Sequence, residues 1–300
     1  VENIIRFETV DQYSSYNNHP TFHPLINIID YSKSKPGNEK MMYLGLYSIV
    51  LKDIACGDII YGKETYDYQN GTLVFFAPGQ IVGYEGSSEH YQPMGIGLIF
   101  HPDLLHGTNL AEQIKEFHYF TYQSREALHL ADNEREIVTD IFLNIQTELK
   151  NGHDQYSNKL IIAHLELLLN YILRFYDRQF DTRKEINSGI LSDFEALLDH
   201  YFDSEKPQTI GLPSVGWCAD AMNLSANYFG DLIKKKTSYS AQEYIHRKII
   251  SVAKNKIFDP RKRLNEIAFE MGFGYPANFT RFFKHHTGMS PIEFRKSSIS

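Results

Sequence analysis

LNEIAFEMGFGYPANFTRFFKHHTGMSPIEFR, residues 264–295, is the stretch on which the fold turns. Leu264 to Met271 reads as a short helix, and Gly272 can take the left-handed conformation that stops one. Phe273 then plugs the core beneath the turn. A second helix over 276–287 turns Phe279 inward and Lys284 outward. Ser290-Pro291-x-Glu293 has the spacing at which a Ser and a Glu side chain satisfy each other's free backbone N–H groups, with Pro291 at the favoured first helical position.

The same pattern occurs earlier in the chain, at a shift of 49 residues that becomes 50 after a one-residue insertion. Met222 matches Met271 and Leu224 matches Phe273. Past the insertion Phe229, Lys234, Thr237, Ser240 and Glu243 match Phe279, Lys284, Thr287, Ser290 and Glu293. Each copy reads as helix, tight turn, helix, over 214–237 and 264–287, which is the helix-turn-helix arrangement. Between them SAQEYIHRKIISVAKNKIF is helical, and its roughly 18 residues span about 27 Å. One turn of B-DNA is about 34 Å, so the spacing suits two second helices entering successive major-groove segments on one face of a duplex.

Charge follows the same division. The whole chain carries −7, but residues 1–207 hold 16 Lys and Arg against 30 Asp and Glu, while residues 208–300 hold 14 against 7. A net of −14 is thus joined to one of +7, and the basic third is the part suited to a polyanion.

Before the repeat, 41–51 (MMYLGLYSIVL), 57–62 (GDIIYG), 72–77 (TLVFFA) and 94–100 (MGIGLIF) are short strand-like runs separated by turn formers, and they predict an antiparallel barrel or sandwich. From about 111 the period changes to helical. Ile137, Ile141, Ile145 and Leu149 recur every fourth residue, and Ile161, Leu165, Leu168, Ile172 and Phe175 form a seam that packs on the sheet or pairs across a two-fold axis; the spacing favours a dimer. Residues 179–187 are polar and aperiodic.

NLSANYFGDLIKKKTSYSAQEYIHRKI (223–249) and the stretch at 264–295 closely resemble the DNA-binding region of AraC/XylS transcription regulators, over about residues 188–300. The N-terminal part is similar, more weakly, to that family's cupin-type sensory domain with its helical dimerisation region. The resemblance implies an α+β chain: a cupin-like antiparallel β-barrel for effector sensing (1–110), a helical dimerisation region (111–180), a linker (181–187) and an all-α DNA-binding domain (188–300). Carried over by position, the groove-facing residues are Asn227, Gly230, Asp231 and Lys234 in the first unit and Ala277, Asn278, Thr280, Arg281 and Lys284 in the second. Asn suits adenine and Arg guanine, while Lys and Thr suit phosphates. Two positions depart from the pattern: Ser238 stands where the family has Gly, and Asp231 where many members have a base-reading Arg. The implied partners are double-stranded operator DNA, a small-molecule effector, a second copy through Ile161, Leu165, Leu168 and Ile172, and RNA polymerase.

Nothing in the sequence reads as a catalytic centre. The 13 His include no His-x-His pair, and Pro20 and Pro24 spoil a helical pairing of His19 with His23. His101 and His106, which flank Pro102, read as structural or surface histidines. Cys56 and Cys218 read as small buried hydrophobes, and no phosphate loop or Gly-x-Ser-x-Gly occurs. The expectation is therefore no cofactor, no metal and no enzyme; the alternative is a cupin-fold small-molecule enzyme with a partner-binding helical bundle. Tyr43, Tyr47, Tyr61, Tyr66 and Tyr84, with Phe75, are the residues expected to line an effector pocket. VENIIRFETV lacks a signal-peptide pattern, and LIIAHLELLLNYIL (160–173) is too short and too polar to span a bilayer, so a cytoplasmic chain without membrane contact is expected.

Overall fold

The computed structural model describes residues 4–34, 41–52, 71–83, 94–122, 126–152, 154–182, 184–259 and 261–297. The chain divides into two compact units, Val1–Thr182 and Arg183–Ser300.

The first unit runs β1 (Ile4–Phe7), α1 (Val10–Tyr16), β2 (Ile26–Asp30), β3 (Met41–Leu44), β4 (Tyr47–Lys52), β5 (Thr72–Phe76), β6 (Gln80–Gly83), β7 (Gly95–Phe100), α2 (Leu110–Gln113), β8 (Leu128–His129), α3 (Asp132–Lys150) and α4 (Ser157–Thr182). Its strands make two open sheets, one ordered β1-β3-β6 and the other β2-β7-β4-β5-β8. This corrects the expected cupin-like barrel: among the described residues neither sheet closes on itself, and β1 pairs with β3 in parallel. The physical cause is local. The run at 41–51 is two strands, because Gly45 leaves the strand to donate its N–H to Phe7 O at 2.8 Å. Met41–Leu44 then pairs with β1 and β6, whereas Tyr47–Lys52 pairs with β5 and β7. The expected strand at 57–62 lies outside the described residues.

Alternation along β5 shows how the layers stack. Val74 and Phe76 point into a core with Phe7, Met42, Leu44 and Val82 of the smaller sheet and Val10 and Tyr13 of α1. Phe75 faces the other way, against Tyr119, Phe120 and Tyr176. All five residues of β5 are consequently buried, as a strand covered on both faces must be. Arg178 of α4 grips Glu134 of α3 with two bonds, of 2.6 and 2.8 Å, and donates to His129 O of β8, which locks helices to sheet.

The second unit is all α: α5 (Lys184–Asp203), α6 (Lys206–Ile210), α7 (Val215–Ala221), α8 (Ala226–Thr237), α9 (Ala241–Ile257), α10 (Leu264–Glu270), α11 (Pro276–Thr287) and α12 (Pro291–Ser297). Residues 181–182 end α4 and 184–187 begin α5, with the division between units falling between them. One core joins Phe194, Leu198 and Tyr201 of α5 to Phe229, Ile233, Ile245, Ile249, Phe279 and Phe283.

Candidate nucleic-acid interface

The two copies of the repeat fold alike down to single hydrogen bonds. In the first, Asn223 turns the chain at φ 55° and Leu224 N donates to Ala219 O at 2.9 Å. In the second, Gly272 turns it at φ 88° and Phe273 N donates to Ala268 O at 2.9 Å. The helices that follow end the same way. Thr237 and Thr287 return their hydroxyls to Ile233 O and Phe283 O, both at 2.8 Å, and Ser238 and Gly288 close the helices at φ 63° and 80°. Ser238, the departure noted in the sequence, thus sits in the left-handed region where a β-carbon is unfavourable.

Between the copies α9 forms a stiff connector of 17 residues, about 26 Å long. Its start carries the expected reciprocal cap, Ser240 Oγ accepting from Glu243 N at 3.2 Å and Glu243 Oε2 accepting from Ser240 N at 2.8 Å. The Ser240 backbone N–H and then its hydroxyl, both donating to Oε2, hold the Glu243 carboxyl below its ordinary range. The same geometry recurs between Ser290 and Glu293. Two contacts tie α9 to α5: Tyr244 donates to Glu195, and Lys248 pairs with Asp199 at 2.6 Å. At its far end Arg295 of α12 donates to Ile257 O, Asp259 O and Lys262 O. Burial raises the Glu270 carboxyl, but Lys262 and Lys256 outweigh it and leave the group below its ordinary range. His246 of α9 packs against Phe282 and His286 of α11, which ties that helix to the rod.

What that rod presents is a polar, basic surface. On α11 Phe279 and Phe283 are buried, while Ala277, Asn278, Thr280, Arg281 and Lys284 are all exposed. Arg281 lies beside Asn278, its guanidinium donating to the Asn278 amide oxygen at 3.3 Å, and the last turn adds His285 and His286. On α8 Asn227 and Lys234 are exposed and Gly230 and Asp231 half-buried, with Lys234, Lys235 and Lys236 in the last turn. A β-carbon on Gly230 would meet nothing within 4 Å. A mid-helix glycine costs about 1 kcal/mol relative to alanine, and no neighbour inside the protein requires it. One exposed residue of this surface had no mention in the sequence reading. Tyr275, at the start of α11, is 72 % exposed, and only its mismatch with the capping Ser225 of the first copy would have marked it.

Other expected sites fare differently. Tyr43 lies in the three-stranded sheet under the Arg6 guanidinium, 4.7 Å from its ring centre. Tyr47 lies in the five-stranded one, stacked on Phe100 at 4.9 Å, and burial raises its hydroxyl pKa. The two tyrosines thus belong to different sheets. Tyr61, Tyr66 and Tyr84 lie outside the described residues. Ile161, Leu165, Leu168 and Ile172 are 0–1 % exposed within a single chain. They are interior, with α3 packed along α4 and Tyr119 bonded to the neighbouring Leu169 O, so these four side chains are core in the single chain. The outward side of α4 carries Leu160 and Leu167 instead, 45 and 46 % exposed. Cys218 is buried and its thiol is pushed up to about 12; Cys56 is outside the described residues. Among the described residues no group of three His, Cys, Asp or Glu side chains is placed to hold a metal, and no helix is long and apolar enough to cross a membrane.

Residues 218–297 match the family model described as a helix-turn-helix domain. The chain is similar to the "Probable transcriptional regulator LumQ" of Photobacterium leiognathi, 25 % identical over 152 residues that cover 50 % of this chain and 56 % of that protein. It is also similar to the uncharacterized transcriptional regulatory protein YesN of Bacillus subtilis, 35 % identical over 86 residues, or 28 % of this chain and 23 % of that one. The chain spans about half the length of the first of these. Among solved structures, ToxT of Vibrio cholerae aligns over 90 % of this chain and 98 % of its own at 12 % identity and a TM-score of 0.28. The DNA-binding domain of AdpA, solved in complex with a target DNA, aligns over 36 % of this chain and 90 % of its own at 18 % identity and a TM-score of 0.31.

Proposed function

We propose that the chain is a sequence-specific DNA-binding transcriptional regulator of the AraC/XylS type, non-enzymatic and cytoplasmic, that inserts α8 and α11 into successive major-groove segments. The observation that carries this reading is α11: Phe279 and Phe283 are buried behind it, and its outward side offers Asn278, Thr280, Arg281 and Lys284 together. Those are the side chains that read bases and hold phosphates. Gly230 adds support from the other copy, since open space above a mid-helix glycine suits the close approach of a partner backbone. The relatives bear regulator names and not enzyme names. Residues 1–110 serve in this reading as the effector-sensing region, 111–180 as the dimerisation region, 181–187 as the linker and 188–300 as the DNA-binding part.

A pool of random duplexes, enriched on the full chain at low salt, tests the reading. The chain should select a motif with two elements about one helical turn apart. Retention of no duplex overturns it. The homodimer is tested separately by sedimentation. Leu160→Glu with Leu167→Glu, two turns apart on the exposed side of α4, should yield folded monomers; a wild-type chain that sediments as a monomer removes the dimer from the proposal.

A further inference from the structure

We propose that Tyr275 is a DNA-backbone contact, its phenol donating to a phosphate oxygen on the wall of the groove that α11 enters. This rests on the DNA-binding reading and adds to it a residue outside the groove-facing set.

The two copies of the repeat supply the argument. At the start of α8, Ser225 Oγ accepts from Tyr228 N at 3.2 Å and caps the helix. The equivalent position of α11 is Tyr275, whose side chain makes no cap bond. The first turn there is closed through the Tyr275 carbonyl, which accepts from Asn278 N at 3.0 Å, and Pro276 occupies the first helical position. A capping serine is the stabilising choice at this position, so the tyrosine is not explained by the helix it begins. Nor is it explained by packing. At 72 % it is more exposed than any other large hydrophobic side chain among the described residues, and its ring and hydroxyl have no partner among them.

Position then decides what it meets. Ala277, Asn278 and Arg281 occupy the outward side of the helix body, where base edges are reached. The residue before the helix stands at the end of that row, and in this reading its side chain meets the phosphodiester wall. A phenol hydroxyl is a good donor to a phosphate oxygen and carries no charge to repel it.

Binding titrations of the full chain on its selected duplex, with Tyr275→Phe and Tyr275→Ser alongside, test the assignment. Both variants should bind about 3- to 10-fold more weakly on every duplex. Base preference should be unchanged, and so should the salt slope, since a neutral donor releases no counter-ion. Tyr275→Ser should at the same time melt about 2–4 °C higher, because it restores the cap, so its weaker binding is not a folding defect. Wild-type affinity in Tyr275→Phe overturns the phosphate contact, as does a changed base preference in either variant. If the wild-type chain itself binds no duplex, the DNA-binding reading falls first and this assignment with it.

Discussion

Gly272 and Gly211 meet backbone to backbone: a β-carbon on residue 272 would lie 2.7 Å from the carbonyl carbon and oxygen of Gly211, and 2.7 Å from Pro207 O. Residue 272 also holds φ 88°. Two independent constraints therefore exclude any side chain there. Gly272→Ala should destabilise the second unit by about 3–5 kcal/mol, read from urea melts of the full chain. An alanine variant as stable as wild type would mean that the α6 segment moves aside freely.

The opposite sign is expected at Ser238. It occupies φ 63° where the second copy has Gly288 at 80°, and a non-glycine residue pays for that conformation through contact of its β-carbon with the backbone. Ser238→Gly should raise stability by about 1 kcal/mol, net of the glycine's greater freedom when unfolded. A loss of stability would show that the serine hydroxyl contributes more than its backbone costs. Thermal melts of the two chains decide the sign.

Arg281 and Lys284 lie three residues apart on the exposed side of α11 and should fail in different ways. Arg281→Ala should cost about 1–3 kcal/mol and relax preference at one base pair, because a guanidinium takes both guanine acceptors at once. Lys284→Ala should weaken all duplexes alike and flatten the salt dependence by about one unit. Titrations against single-base variants at several salt concentrations separate the two. An Arg281→Ala chain that keeps its base preference is holding phosphate only.

Stability near neutral pH should depend on His246 and His286, whose rings pack 5.0 Å apart beside Phe282. Burial lowers the His246 pKa and His285 lowers it further, against an upward pull from Glu243; burial, His246 and His285 all lower that of His286. Both folded values lie below the ordinary 6.5, so the folded state binds fewer protons than the unfolded one. Their contribution is complete above about pH 6.5 and is lost as pH falls through the lower folded values. The urea midpoint should therefore drop between pH 7.5 and 5.5, and drop less in a chain carrying His246→Gln with His286→Gln. Equal drops in the two chains would assign the acid sensitivity elsewhere.

What could be read in advance was what short-range chemistry controls. The Ser240–Glu243 and Ser290–Glu293 caps, the left-handed turns at Asn223 and Gly272, and the buried Phe229 and Phe279 all follow from neighbours within four residues. The barrel failed for the converse reason. Strand runs at 41–51 and 72–77 alternate alike whether a sheet is open or closed, and pairing of β1 with β3 joins residues some 37 apart in sequence. The α4 seam was legible as a helix stripe, because Ile161, Leu165, Leu168 and Ile172 share a side. What covers that side depends on α3 and on Tyr119, whose hydroxyl donates to Leu169 O at 3.2 Å, and no periodicity reports a distant partner. Tyr275 carried no local signal at all.

Arg295 acts as a latch. Its three bonds to carbonyls at 257, 259 and 262 bind α12 across the exit of α9, so the second unit is sealed by a residue from outside its two helices. The first copy has its turn, its cap and its connector in hand by residue 257. Because Phe229 and Ile233 of that copy share one core with Phe279 and Phe283 of the other, the latch at Arg295 holds a junction on which both copies depend.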